Sequence, residues 1–257
     1  MAHPSPPRKP TPLFLPGFHA VHEALVSGRI RIMEIWLREV RAGNRMEDLR
    51  GLAEKKRIPV LYKRGDDMDE LLPGLAHQGV VALTGGFLYS DLEEIMDKAL
   101  RGPGGALVLA ADHITDVGNL GALVRTGAFF GAHGLILPKD RSAAMSAGVM
   151  KRSSGAFVHL PVSRVVNLGR ALDRMAERGF WVIGTAGESQ ETLYRFDWRR
   201  HLVLVLGSEE KGLSPNIRRK CQHMVSIPGC GKVESLNVAV AAGVILTEIA
   251  RQRKGGG

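Results

Sequence analysis

Two unbroken apolar runs, Leu107–Ala111 and Leu202–Leu206, stand out from the mixed polar and apolar positions of this 257-residue chain. Runs of that length suit strands buried on both faces of a parallel sheet. Between and after them the pattern alternates strand and helix. A helix over about 120–130 places Leu120, Leu123, Val124 and Gly127 on one stripe, and residues 135–137 read as a strand. A helix over 168–177 and a strand over 180–183 follow, the strand ending in the glycine loop 184–188. Leu206 leads into a second glycine loop, 207–212, after which Ser214 reads as a helix cap with Pro215 at the first helical position. Residues 224–227 read as a strand ending in the flexible loop 228–231. Ser235 then reads as the cap of a last helix whose residues 238–246 carry no polar side chain. A helix apolar all round is expected to be buried. Alternating strands and helices predict an α/β fold with a mostly parallel sheet. Its glycine loops would gather at the carboxyl edge, where open α/β sheets bind ligands.

The first third of the chain has its own pattern. Residues 17–26 place Ala20, Val21, Ala24 and Leu25 on a helical stripe. Strands over 32–37, 58–62 and 78–84 and helices over 46–56 and 66–72 complete a small α/β module spanning 13–85. Ser90 with Glu93 gives a capping-box pattern for a helix to about Leu100. Segment 86–105 therefore reads as a linker containing a connector helix, with a second domain over 106–257. Residues 1–12 hold five prolines and two basic residues, so they are expected to form a disordered tail weakly attracted to RNA. No internal repeat is visible.

Charge changes the picture. The chain has 35 Lys and Arg against 26 Asp and Glu, a net +9. A surplus of that size points to a polyanion such as nucleic acid, the alternative being a merely solvated basic surface. Lys55, Lys56 and Arg57, with Arg29 and Arg31, place part of it on the first module. Two cysteines, Cys221 and Cys230, are too few for a disulfide framework and lack metal-ligand spacing. Reduced thiols and a cytoplasmic location are expected. The sequence shows no run approaching the roughly 18 apolar residues of a membrane span and no signal-peptide core.

The chemistry is narrowed first by exclusion. Residues 112–116 after the first apolar strand contain no glycine, and Gly229-Cys230-Gly231-Lys232-Val233-Glu234 lacks the third glycine of a dinucleotide fingerprint. No Walker A sequence occurs. Three blocks remain: Asn119-Leu120-Gly121-Ala122-Leu123-Val124-Arg125, then Leu206-Gly207-Ser208-Glu209-Glu210-Lys211-Gly212-Leu213, then Ile227-Pro228 with Ser235-Leu236-Asn237-Val238-Ala239. In this order and spacing they resemble the three motifs of the SpoU-type RNA 2′-O-ribose methyltransferases, the TrmH family of the SPOUT superfamily. The resemblance runs from Gly17 to Arg251. Gly17-Phe18-His19-Ala20-Val21 and His77-Gln78-Gly79 are similar to the family's N-terminal substrate-binding domain, of ribosomal-protein-like α/β fold. Residues 138–142 and 184–188 are similar to the bacterial 23S rRNA guanosine-2′-O-methyltransferase branch.

The resemblance implies a deep trefoil knot in the C-terminal domain, which is foreign to ordinary chain topology and not readable from periodicity. It implies S-adenosyl-L-methionine as cofactor, held by the backbone at Leu206, Gly207, Gly212, Ile227, Pro228, Leu236 and Ala239, with Thr185 on a further lining loop. It implies RNA, in the first place 23S rRNA, as partner, and a homodimer through the knotted domain. No metal and no membrane are implied. Arg125, Asn119, Glu209, Ser235 and Asn237 match the catalytic positions. Each has a plainer alternative: Arg125 as a surface arginine, Asn119 as a helix cap, Glu209 as a solvated loop carboxylate. Family accounts cast the arginine as base for the ribose hydroxyl. A guanidinium is always protonated in proteins, so phosphate anchoring and stabilisation of the developing alkoxide is the role expected of Arg125. Glu209 would order its loop, and Ser235 and Asn237 would face the reaction. His113 and His133 match no motif and are read as structural. A relative acting on tRNA or on another rRNA nucleotide, or a non-catalytic RNA-binding or ribosome-assembly protein, are the competing readings. The five intact residues weigh against the last.

Overall fold

The computed structural model describes residues 12–39, 44–102, 104–233 and 235–254, so the tail expected over 1–12 lies, but for Pro12, outside the described residues. The chain divides into two compact units, Met1–Leu88 and Tyr89–Gly257.

The first unit contains β1 (Leu13–Pro16), α1 (Phe18–Ser27), β2 (Ile32–Arg38), α2 (Asn44–Lys55), β3 (Val60–Lys63), α3 (Gly65–Leu71) and β4 (Val80–Thr84). Its sheet runs β1-β4-β2-β3, with β4 antiparallel to both neighbours and β3 parallel to β2. The stripe read from α1 is the buried one: Ala20, Val21, Ala24 and Leu25. Strand β1 is short and ends in proline, so it carries little periodic signal of its own.

The second unit is organised by a six-stranded sheet. Its elements are α4 (Leu92–Arg101), β5 (Leu107–Ala111), α5 (Val117–Phe129), β6 (Gly134–Pro138), α6 (Ala147–Arg152), β7 (Val162–Val165), α7 (Leu168–Glu177), β8 (Trp181–Thr185), β9 (Leu202–Leu206), α8 (Pro215–Arg218), β10 (His223–Val225) and α9 (Val238–Lys254). The strand order is β10-β8-β9-β5-β6-β7, and every pairing is parallel. The two five-residue apolar runs are adjacent central strands, in register from Leu107 opposite Leu202 to Ala111 opposite Leu206. All ten of those residues are buried, as two-sided coverage demands.

Four expectations are corrected. Helix α4 is no connector: Leu92, Ile95, Met96 and Ala99 join the core cluster with Val108, Ile136 and Leu172. Burying each of its larger side chains is worth roughly 1.5–3 kcal/mol, which anchors the helix to the sheet. Its cap is Asp91, whose side chain accepts from the Glu93 N–H at 2.8 Å, while the Ser90 N–H goes to the Val162 carbonyl. Helix α9 is not buried all round, because Val240 is 52% exposed while Ala242, Ile245 and Leu246 are buried. Ser235 is not its cap: the Asn237 side-chain oxygen accepts from the N–H groups of Ala239 and Val240 at 3.0 and 3.3 Å.

Close approach explains one glycine. A Cβ on Gly121 would stand 2.6 Å from the Arg152 Cβ and 3.1 Å from the Val149 carbonyl, so α5 and α6 can only touch here through glycine. Among the described residues no helix is long and apolar enough to cross a membrane.

Candidate active site

Parallel strands β8, β9 and β10 all end on the same side of the sheet, at Thr185, Leu206 and Val225. The loops that follow therefore meet there. Loop 207–212 folds tightly on itself: the Ser208 N–H donates to the Gly212 carbonyl at 3.1 Å and the Gly212 N–H returns to Ser208 at 2.9 Å. The fold leaves no space at Gly207, where a Cβ would lie 2.2 Å from the Gly212 carbonyl carbon. Gly212 adopts φ +62°, the left-handed region that favours glycine.

This loop is tied down from below by a residue that sequence reading passed over. Asp112, directly after β5, is 1% exposed. One carboxylate oxygen accepts from the Ser214 N–H at 2.7 Å and the other lies 2.6 Å from His113 Nδ1. A buried carboxylate is tolerated only with such partners. Ser214 thus contributes its backbone to Asp112 and makes no side-chain cap for α8, although Pro215 does begin that helix.

The three motifs converge at the start of α9. Asn237 Nδ2 donates to Asn119 Oδ1 at 2.8 Å and also to Glu209 Oε1. The same Glu209 oxygen accepts from the Val238 N–H at 3.3 Å, setting a carboxylate at a helix N-terminus, where the backbone dipoles favour negative charge. Asn119 is free for this because it is not the cap of α5. That role belongs to Asp116, which accepts from the Asn119 N–H at 2.7 Å, so the helix starts earlier than the pattern suggested. One residue from each block is joined in one network.

Arg125 lies elsewhere on α5. It is exposed, and its Nη1 donates to Ser154 Oγ at 3.1 Å. It follows Asn119 by six residues, about 9 Å along a helix axis. Ser154 sits at φ +52°, a conformation uncommon for a side-chain-bearing residue. Ser235 is exposed two positions before the cap. Leu206 and Ala239 are buried, Ile227 and Thr185 half-buried, and Pro228 exposed; Thr185 Oγ1 donates to the Val205 carbonyl at 3.4 Å.

Apolar surface stands open beside these loops, Leu236 at 47% and Val233 at 84% exposure. Rigid loops presenting backbone groups next to exposed apolar side chains fit a donor with an adenine ring and a polar chain. Among the described residues no group of three or more His, Cys, Asp or Glu is placed to hold a metal.

Comparison with known proteins gives the same outline. Residues 106–247 match the model of the SpoU rRNA methylase family, and residues 14–89 match that of RNA 2′-O ribose methyltransferase substrate binding. The 23S rRNA (guanosine-2′-O-)-methyltransferase RlmB of Pseudomonas aeruginosa is 42% identical over 240 residues, 92% of this chain and 95% of that protein. A putative TrmH family tRNA/rRNA methyltransferase of Bacillus subtilis is 37% identical over 237 residues, 92% and 94% of the two chains. The crystal structure of the SpoU methyltransferase AviRb from Streptomyces viridochromogenes, in complex with AdoMet, superposes with a TM-score of 0.79 at 27% identity, covering 95% and 92%.

Proposed function

This chain belongs to the SpoU rRNA methylase family, and from that premise we propose how it works as an RNA methyltransferase. It moves a methyl group from S-adenosylmethionine to the 2′-oxygen of a ribose in RNA, a guanosine of 23S rRNA; the C–O bond forms as the sulfonium C–S bond breaks, S-adenosylhomocysteine leaves, and the hydroxyl proton passes to solvent. The observation that carries the reading is the junction of Asn119, Glu209 and Asn237, one residue from each motif, beside the strand-end loops.

The donor supplies a methyl already activated by its sulfonium. What the protein must add is alignment, with the reacting atoms about 3 Å apart, and help for a weakly acidic hydroxyl. Backbone groups at Gly207, Gly212, Ile227 and Leu236 hold the donor, and the Leu206, Pro228, Ala239 and Thr185 positions shape its pocket. The Asn119–Asn237–Glu209 network orders the loop against the helix start and faces the ribose, with Ser235 at its rim. Arg125 anchors a phosphate and stabilises the developing alkoxide. Ser154 engages one of its five guanidinium N–H groups, leaving the others for the RNA. Loss of ribose methylation at one guanosine of 23S rRNA in cells lacking the protein is the expected result. Loss confined to tRNA would reassign the substrate, and NAD binding with no response to S-adenosylmethionine would end the reading.

The C-terminal half is a deep trefoil knot and the working form is a cytoplasmic homodimer. Supporting the knot is the strand order, in which β9 enters between β5 and β8. Supporting the dimer are Phe129 of α5, 82% exposed, and Val240 of the α9 that packs beside it. Sedimentation should give a species of twice the 27.9 kDa chain mass.

A further inference from the structure

At the far end of α9 lies a cavity of about 330 Å³, lined by Tyr194, Arg195, Phe196, Asp197, Arg199 and the last turn of the helix. Arg251 of that turn follows Val238 by 13 residues, about 20 Å along a helix. The cavity is therefore remote from the strand-end loops.

Its walls are fixed in advance. Trp198 is fully buried and its indole N–H donates to the Leu193 carbonyl at 2.7 Å. Phe196 packs edge-on to Trp198, ring centroids 4.6 Å apart. Gln252 clamps the segment from α9, accepting from the Trp198 N–H and donating to the Phe196 carbonyl, both at 3.0 Å. Such preorganisation removes ordering costs that a ligand would otherwise meet.

Its chemistry is basic and aromatic. Tyr194 is 60% exposed. Among the described residues the side chains of Arg195 and Arg199 have no hydrogen-bond or ion-pair partner. Arg251 is held by Glu248 through Nε and Nη2, both at 2.7 Å, leaving Nη1 unengaged. The single acidic lining residue, Asp197, accepts from the Arg199 backbone N–H and lies 3.8 Å from Arg200. With Arg251 already paired to Glu248 and Asp197 beside Arg200, the two unpartnered guanidiniums of Arg195 and Arg199 select an anion. A ring exposed beside them selects one that carries a flat face, which is the combination that binds single-stranded nucleic acid. An acidic peptide would satisfy the arginines but leave Tyr194 without a stacking partner.

We propose that this cavity is a second RNA site, which takes one unpaired nucleotide of the substrate: its base on Tyr194, its flanking phosphates on Arg195 and Arg199. This rests on the RNA methyltransferase reading above. Stacked nucleic acid advances about 3.4 Å per nucleotide, so the site would grip RNA about six nucleotides from the reacting ribose. It would act as a ruler, independent of the chemistry.

The test uses the full-length protein with Tyr194→Ala, Arg195→Ala and Arg199→Ala, singly and combined. The probes are a ribosomal RNA transcript and a mixed-sequence oligoribonucleotide bearing photoreactive uridines. The expected result is a roughly tenfold higher KM for RNA in the triple variant, with kcat at saturating RNA and donor affinity unchanged. The slope of log affinity against log salt should shrink by roughly 1.4–1.8, the loss of two phosphate contacts, and wild-type crosslinks should map to the Tyr194 peptide. Unchanged RNA affinity and slope would overturn the proposal. A wild-type protein that binds no S-adenosylmethionine would instead refute the methyltransferase reading, and the salt slope would still judge this site. Should the triple variant fail to fold, each single arginine variant must lower the slope by about 0.7–0.9 or the proposal fails.

Discussion

Asn237 does two jobs with one side chain, and they can be separated. Its oxygen caps α9 while its nitrogen binds Asn119 and Glu209. Asn237→Ala should cost about 1 kcal/mol as a lost cap, a fall of roughly 2–4 °C in Tm, together with most of the methyl transfer. Asn237→Ser keeps an oxygen for capping, but one short hydroxyl cannot reproduce the two amide donations to Asn119 and Glu209, so calorimetry should find stability restored while single-turnover assays find activity still low. Arg125 is the complementary case. It is exposed and the helix packs through Leu120, Leu123 and Val124, so Arg125→Ala should fold normally and bind the methyl donor with unchanged affinity. Loss of one preorganised group costs about 10²–10³ in rate. Arg125→Lys should recover little, since a point charge does not reproduce a planar fork. Single-turnover transfer at saturating donor decides; an alanine variant within about threefold of wild type would place the chemistry elsewhere.

At the scale of elements, what could be read from sequence follows burial. Strands β5 and β9 are legible because both faces are covered and every position is apolar. Strand β7, with the sequence VSRV at the sheet edge, and six-residue α6 are too short and mixed to show a period. The candidate site residues are picked out by motif, but the bonds between them are not legible in sequence, because each joins distant segments. Ser235 and Asn237 are both good caps by type; the docking of Glu209 on the Val238 N–H belongs to the folded arrangement. Asp112 gave no local sign that it would meet Ser214, 102 residues on. Two predictions belong here. Gly207→Ala cannot be absorbed by a side-chain movement, because the clash is with the Gly212 backbone; the loop must open, and calorimetry should show donor binding lost in a chain whose circular dichroism is nearly unchanged. His133 links the starts of β5 and β6, its Nδ1 accepting from the Leu107 N–H at 3.1 Å. Burial, and after it the charges of Arg253 and His201, hold its pKa below the ordinary 6.5, although the Leu107 carbonyl 3.3 Å from Nδ1 favours the protonated ring. The unfolded chain therefore takes up the proton first as pH falls. The stability from this residue is whole above about 6.5 and is lost as pH drops through the lower folded value. Thermal melts at pH 7.5 and 5.5 should show a larger decline in wild type than in His133→Gln.

The whole molecule consists of two units, each with its own sheet. The first carries the match to a substrate-binding family, and aromatic and basic side chains stand together on it: Arg45 over the Phe18 ring at 4.7 Å and Lys63 over Trp36 at 5.1 Å. Deleting residues 1–88 should leave S-adenosylmethionine affinity nearly intact and weaken RNA binding at least tenfold. Salt titration of the full chain should show affinity falling steeply, as displaced counterions require, with a shallower slope in the truncated one. Undiminished RNA binding would assign recognition to the second unit alone.

The junction at Asn237 also sets a time. Asn119 and Asn237 are 118 residues apart, and a ribosome adding roughly 5–20 residues per second needs on the order of ten seconds to travel from one to the other. Until α9 has been made and released, Glu209 has no helix start to rest on and Asn119 has no partner. A nascent chain thus lacks this junction until Asn237 and the start of α9 have left the ribosome.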